Sequence, residues 1–473
     1  MKLSFFGAVR QVTGSMFLLE LEEDYRILID CGTNLEPKSK IEDSDDEYGL
    51  FPFEASMVNL VVLTHAHIDH SGQIPNLFQE GFEGQILCTP ATKDLAEILL
   101  YDAASLNQRK LKSIQKSKNY SRKRRSIATG GLYLNRQVEE AIDNFVPLEH
   151  NRKFKITENC SITFIPAGHL LGASHVVFEV RENGNVKTIC FSGDIGRKNY
   201  PLLCDPQGIP EVDYLICEST YGMRYHEDKQ DPKELLKSII KECCIDIPGR
   251  LIIPTFSVGR TQALLYTLNR IYEEDDIEPI KVFTDSPLGK ASTKVHEKYT
   301  HLLNPHAIAF KKENDMLFDF ENLHYVSGTK ESEAISSHSE ACIIISSSGM
   351  IQGGRIEHHV ATNLENPYAC LLFIGYATEG SLGHKLRHQE LKQLTIRGAK
   401  KDVLLKIRST DVFSGHGDLG DLLNFVKSQN PEKLKKVFLV HGELDSMINF
   451  KEELSKENYN NVEIPEKNQT FVL

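Results

Sequence analysis

Eight times along this chain a short run of Val, Ile, Leu and Phe stops on a polar residue, often with glycine beside it. The runs are RILIDCG to Asp30, LVVLTHAH to His65 and His67, ITFIPAGH to His169 and TICFSGD to Asp194. They continue with YLICEST to Glu218, KVFTDSP to Asp285, ACIIISSSG to Ser346 and KVFLVHGE to His441. Segments this short and this rich in β-branched residues read as buried strands. Helical patterns lie between them, at Ala91–Ala104, Lys233–Cys244, Thr261–Glu274 and Leu419–Ser428. The alternation predicts an α/β fold, in which functional side chains collect at the carboxyl ends of strands.

The length of 473 residues gives room for two or three domains. Pro and Gly cluster in DPQGIPEVD, Asp205 to Asp213, and a second break is read at RGAKKD, Arg397 to Asp402. No apolar stretch reaches the roughly 18 to 20 residues of a membrane helix. The ten cysteines are scattered inside apolar runs without a CxxC pair, which points to reduced, buried thiols. The opening MKLSFFGAVRQVTGS has no apolar signal region, and a cytoplasmic enzyme is the expectation. A net charge of −12 argues mildly against a polyanionic partner, but charge is unevenly spread. RKLKSIQKSKNYSRKRR, Arg109 to Arg125, carries nine Lys or Arg and no acid. It reads as a solvated face or loop, with electrostatic guidance of a polyanion as the functional alternative. The acidic EDSDDEYG, Glu42 to Gly49, reads as a surface loop.

NLVVLTHAHIDHSGQIP, Asn59 to Pro75, is the most informative stretch. His65, His67, Asp69 and His70 crowd together behind an aliphatic run. A turn leaving a strand can aim His65 and His67 at one cation while Asp69 and His70 face another. Imidazole and carboxylate bind zinc at ~2.0–2.2 Å, and a set without cysteine suits an open catalytic site better than a closed structural one.

HAHIDH resembles the HxHxDH signature of the metallo-β-lactamase superfamily. Asp30 in LIDCG, His169 in PAGHLLGAS and Asp194 in FSGDIGR are similar to that superfamily's other motifs. Glu218 in ESTYG, His416 in FSGHGD and His441 in LVHGE resemble the three further motifs of the β-CASP nucleases, a branch that includes the endonuclease of mRNA 3′-end processing and its prokaryotic relatives. PTFSVGRTQALL, SSSGMIQGGRIEHH and GYATEGSLGHKL look like the β-CASP domain itself.

The resemblance implies a metallo-β-lactamase αβ/βα sandwich at 1–208 and 400–473, interrupted by an α/β β-CASP domain at 209–399, with RNA in the cleft between them. It implies two Zn2+ ions: one on His65, His67 and His169, the other on Asp69, His70 and His441, with Asp194 bridging. Asp30 would orient a histidine ligand from behind. Catalysis would use a metal-bridged hydroxide, with Asp69, Glu218 and His416 as the catalytic set. His416 would protonate the departing 3′ oxygen and Glu218 would hold its imidazole. His441 is the residue that marks RNA-processing members, so single-stranded RNA is the implied substrate. Endonucleolytic cleavage, with 5′–3′ exonuclease action as a second mode, and a homodimer or RNA-processing complex complete the expectation.

Candidate phosphate contacts are Ser257 and Arg260 in PTFSVGR, and Ser347, Ser348 and Arg355 in SSSGMIQGGR. In GSLGHKL, His384 stands where many relatives carry Arg, with Lys385 or Arg387 as substitutes. The rival readings are a DNA nuclease of the same family, a non-catalytic RNA-processing scaffold, and a small-molecule hydrolase of the superfamily. The last would need neither Glu218, His416 nor the large insert.

Overall fold

The computed structural model describes residues 1–21, 24–35, 50–116, 131–227, 230–375, 377, 380–388 and 391–473. The acidic run at Glu42–Gly49 and the basic run beyond Lys116 lie outside the described residues. All eight aliphatic runs are strands, ending within a few residues of the polar positions that flagged them.

The chain divides into two compact units. The first is Met1–Lys198 with Asp205–Tyr225 and His416–Leu473, and the second is Asn199–Cys204 with His226–Gly415. Against the breaks expected at 208/209 and 399/400, the main crossings between the units lie at 225/226 and 415/416, in keeping with strand pairing. Tyr214–Glu218 lies parallel between Asn185–Phe191 and Lys436–Val440, so it belongs to the first unit. Lys406–Ser409 pairs with Ala369–Phe373 in the second. The Pro- and Gly-rich segment therefore belongs to the first unit and starts where the chain returns to it after Asn199–Cys204.

The first unit holds two seven-stranded sheets. One runs Gln469–Val472, Lys2–Gly7, Met16–Glu20, Arg26–Ile29, Leu60–Val62, Gln85–Cys88, Phe145–Pro147. The other runs Val462–Glu463, Lys436–Val440, Tyr214–Glu218, Asn185–Phe191, Ser174–Glu182, Cys160–Pro166, Lys153–Lys155. Successive strand residues point to opposite faces, and burial follows that alternation. Ile216, Phe438 and Val440 join Phe5, Phe17, Ile29, Phe164 and Phe178 in the core shared by the two sheets. Their neighbours Leu215, Cys217, Val437 and Leu439 pack the other way, with Leu422, Phe425, Met447 and Phe450. Those four come from the helices Leu419–Lys427 and Leu444–Lys456. A strand buried on both faces reads as a continuous aliphatic run, which is why these strands were conspicuous in the sequence.

The second unit is built on a six-stranded sheet whose ladder pairings are all parallel. Its order is Leu323–Tyr325, Lys281–Asp285, Cys342–Ser346, Arg250–Pro254, Ala369–Phe373, Lys406–Ser409. The helix read at Lys233–Cys244 is an α-helix over Pro232–Ile240, capped by Asp231, that widens into a π-helical turn at Lys241–Asp246. The helix read at Ala91–Ala104, in the first unit, runs longer, over Pro90–Lys116. Among the described residues, no helix is long and apolar enough to cross a membrane.

His296 sits wholly buried in the helix Pro287–Lys298, donating its Nδ1–H to the Ser292 carbonyl at 2.9 Å while Nε2 has no partner. Burial pushes its pKa down to about 4. A histidine whose folded pKa lies below its unfolded value contributes stability that is complete above about pH 6.5 and is lost as pH falls toward about 4. Comparing acid unfolding of the wild type and His296→Leu isolates this contribution. The wild type should lose on the order of 3 kcal/mol more than the variant across that window. Parallel curves would refute the assignment.

Candidate metal centre

Seven side chains of the first unit gather into two groups, His65, His67, His169 with Asp194, and Asp69, His70 with His441. Within each group the ligand atoms all lie within 4.8 Å of one another. They arrive from strand ends: His65 and His67 follow Leu60–Val62, His169 follows Cys160–Pro166, Asp194 follows Asn185–Phe191 and His441 follows Lys436–Val440. Asp69 and His70 lie in the short helix Ile68–Ser71.

The contacts fit cation coordination better than hydrogen bonding. His67 Nδ1 lies 3.2 Å from His65 Nε2 and 3.1 Å from His169 Nε2, so three ring nitrogens converge on one point. Ligands ~2.0–2.1 Å from a tetrahedral centre stand ~3.3–3.4 Å apart, close to these separations. Asp194 Oδ2 is 3.5 Å from both His65 Nε2 and His169 Nε2. Its Oδ1 is 3.2 Å from His70 Nε2 and 3.6 Å from His441 Nε2. The carboxylate thus gives one oxygen to each group. Asp194 Oδ1 and His441 Nε2 are buried with no hydrogen-bond partner, an expensive state unless something else satisfies them.

Protonation follows the same division. Burial holds His65 well below the usual histidine range, reinforced by the His70 imidazole, and burial takes His67 down to about 4. Both rings are neutral near pH 7 and carry a free lone pair. His70 moves the other way: burial opposes its charge, but the Asp194 and Asp30 carboxylates prevail and raise its pKa well above the ordinary value. Burial raises Asp194, and the surrounding imidazoles of His441, His70 and His65 overcome this, so it stays ionised.

Asp30 stands behind the centre with its backbone in the left-handed region, φ 57°. Its carboxylate accepts the Nδ1–H of His70 at 2.7 Å and both the N–H and hydroxyl of Thr64 at 2.8 Å. Thr64 Oγ1 is in turn 3.1 Å from His65 Nδ1. One buried carboxylate therefore fixes His70 directly and His65 through Thr64, leaving both Nε2 atoms toward the centre. Sequence reasoning missed Thr64; its signal is adjacency to the first histidine.

His416 Nδ1 is 3.3 Å from Glu218 Oε1 and 3.9 Å from Asp194 Oδ2, and its ring centroid lies 4.4 Å from that of His169. The Ile195 amide also donates to Glu218 Oε1. Gly196 bridges to His416 and passes so close to Gly168 that a Cβ would lie 2.2 Å from its carbonyl carbon. That close approach, open only to glycine, draws the His169 and His416 loops together.

The phosphate candidates all belong to the second unit. Ser257 Oγ and Ser347 Oγ both reach Ser286 Oγ, at 2.9 and 3.0 Å, each serine following the carboxyl end of a parallel strand. Ser286 was missed, although KVFTDSP places it directly after a strand end. Arg355 has partners inside its own unit. Its guanidinium lies 2.6 Å from the buried Asp285 carboxylate and also donates to the carbonyls of Val326 and Ser327, so it neutralises a core acid. Arg260 stacks on the Phe256 ring at 4.8 Å. Ser348 donates to the Gln352 carbonyl, and His384 Nδ1 lies 3.3 Å from the Ala377 carbonyl. Lys385 is exposed, and Arg387 donates to the Gly375 carbonyl at 2.9 Å.

Three family models match the chain. They are the metallo-beta-lactamase superfamily over residues 9–237, the Beta-Casp domain over 261–386, and the Zn-dependent metallo-hydrolase RNA specificity domain over 400–465. The chain is 30% identical over 430 residues to Ribonuclease TTHA0252 of Thermus thermophilus, covering 91% of each. It is 30% identical over 437 residues to an RNase J-like protein of Methanocaldococcus jannaschii, covering 91% of this chain and 90% of that one. The transcription termination factor FttA of Methanosarcina mazei is 28% identical over 443 residues, and there the match spans 65% of the relative's length.

If Asp30 orients two ligands, removing its charge must weaken metal binding without removing a ligand. Asp30→Asn suits the test, because asparagine tolerates the left-handed backbone. Calorimetric zinc titration should give affinity about ten- to a hundredfold lower. Wild-type affinity in this variant would remove Asp30 from the ligand-orienting role.

Proposed function

The chain belongs to the β-CASP family of metal-dependent hydrolases within the metallo-β-lactamase superfamily, and from that premise we propose that it is a zinc ribonuclease. Its reaction is hydrolysis of phosphodiester bonds in single-stranded RNA. The observation that carries this reading is the pair of three-ligand groups joined by Asp194, with the Glu218–His416 pair beside it. In the proposal His65, His67 and His169 would hold one Zn2+ ion and Asp69, His70 and His441 the other, with one oxygen of Asp194 facing each set. When bound, two such ions lower the pKa of a shared water and stabilise both the attacking and leaving oxygens of an in-line displacement.

The chain's own residues supply the rest. Glu218 engages Nδ1 of His416, so the Nε2 proton is the one available to a departing 3′ oxygen. That oxygen is a poor leaving group unless protonated, so this pair matters most for an unactivated ester. Asp30 and Thr64 engage the Nδ1 atoms of His70 and His65, so that Nε2 is the atom each ring would offer to an ion. RNA is favoured over DNA by the match of residues 400–465 to an RNA specificity domain and by the ribonuclease relatives. The exposed Arg109, Lys110, Lys112 and Lys116 at the end of the helix Pro90–Lys116 could add salt-sensitive attraction for the backbone.

The test is cleavage of 5′-labelled single-stranded RNA, the same RNA fully paired, and matched DNA, each with and without a chelator. Single-stranded RNA should be cut fastest, and cutting should stop when metal is removed and return when zinc is restored. His416→Ala should cost about 10²–10⁴-fold in kcat on RNA, but far less on bis(p-nitrophenyl) phosphate, whose leaving group needs no proton. Undiminished cleavage in chelator would defeat the metal reading. Equal losses on both substrates would defeat the general-acid assignment.

A further inference from the structure

The segment ESTYG contributes Glu218 to the centre, but two residues on is a hydroxyl whose contacts are as specific. Thr220 Oγ1 lies 2.5 Å from Glu218 Oε2, 3.0 Å from His441 Nδ1 and 3.1 Å from the His441 carbonyl oxygen. A hydroxyl has one proton and two lone pairs to distribute among these three. The shortest contact is to an acid carboxylate, where a donated hydrogen bond is strongest, so the proton goes to Glu218. The His441 carbonyl already accepts the Ser219 N–H at 3.2 Å and needs nothing from Thr220. A lone pair of Oγ1 is then left to accept the Nδ1–H of His441.

That distribution fixes the imidazole. With its proton on Nδ1, His441 presents a bare Nε2, which is the buried atom without a hydrogen-bond partner, 3.6 Å from both Asp69 Oδ2 and Asp194 Oδ1. The same bond fixes Glu218 from the other side. Oε2 receives the hydroxyl and the amide of Thr220, while Oε1 receives the Ile195 amide and faces His416 Nδ1. The carboxylate is 1% exposed, so no solvent competes for it.

We propose that Thr220 is a positioning residue shared by both halves of the chemistry: it sets the tautomer of His441 toward the second metal ion and orients Glu218 for His416. The inference rests on the two-metal reading above. Thr220→Val preserves the branched shape and deletes the hydroxyl, whereas Thr220→Ser restores the hydroxyl without the methyl. Two measurements on the full chain separate positioning from packing. One is zinc affinity by competition with a chromophoric chelator. The other is the ratio of RNA cleavage to bis(p-nitrophenyl) phosphate cleavage at saturating zinc.

Thr220→Val should weaken the second zinc equivalent about ten- to a hundredfold while sparing the first. At saturating zinc it should lower the RNA-to-activated-ester ratio, and Thr220→Ser should recover both quantities. Wild-type affinity and ratio in Thr220→Val would overturn the proposal, as would an equal loss in Thr220→Ser, which would mark a packing effect. Should the valine variant fail to fold, Thr220→Ala carries the same two measurements. A wild-type chain that takes up no second zinc equivalent would overturn the underlying reading and this inference with it.

Discussion

The carboxylate of Asp194 sets the terms for the first unit. It is 2% exposed, and its two oxygens face two sets of imidazoles brought from distant parts of the chain. A buried carboxylate in an apolar interior costs several kcal/mol unless charge or hydrogen bonds compensate it. Here that compensation requires His65 and His70 from near the amino end, His169 from the middle, and His441 from near the carboxyl end. The sheet that closes this distance pairs Tyr214–Glu218 in parallel with Lys436–Val440, with Glu218 directly opposite Val440. One residue of slippage would turn Phe438 and Val440 out of the core and carry His441 away from the centre. The core packing and the ligand geometry therefore depend on one register.

Two positions of backbone strain lie at the same place. Asp30 and His441 both lie in the left-handed region, at φ 57° and 52°, where non-glycine residues cost of order 1–3 kcal/mol. Each is held there by backbone bonds to other elements: Asp30 N–H to the Val62 carbonyl, and His441 N–H to the Ala8 carbonyl. Both residues end a strand and turn sharply so that the side chain can address the centre.

What could be read from the sequence, and what could not, divides along the range of the interaction. The strands, and the ligands at their ends, were legible because a buried strand writes itself as an aliphatic run and an unexplained polar residue at its end stands out locally. HAHIDH needed no partner to be suspicious. Arg355 is ambiguous in the sequence because a glycine-rich loop with a cation looks the same whether or not the cation also meets a carboxylate, as it does Asp285 70 residues away. Asp285 was itself flagged at a strand end, but nothing in the sequence paired it with Arg355 and His359, which lies 2.7 Å from it. The domain boundaries slid for the same reason. A proline- and glycine-rich loop is a local signal, whereas membership of a sheet is decided by partners elsewhere in the chain, more than 200 residues away for Tyr214–Glu218.

Thr64 and Thr220 were also invisible to motif reading, yet the structure uses them alike. In each case a buried acid at a strand end, Asp30 or Glu218, accepts a threonine hydroxyl, and that threonine oxygen meets Nδ1 of a histidine whose Nε2 faces the centre. Direct contact between acid and imidazole would do the same work, as Asp30 does for His70. Interposing a hydroxyl lets one carboxylate govern two rings that it could not reach together. Asp30 governs His70 and His65, and Glu218 governs His416 and His441. A threonine suits the relay better than a water would, because its oxygen is held by the chain and costs no immobilisation. The hydroxyl also adds no charge to a centre that already gathers several carboxylates and imidazoles. A histidine-rich centre needs each ring held in one orientation, and here two acids engage Nδ1 of four rings, directly or through a threonine hydroxyl.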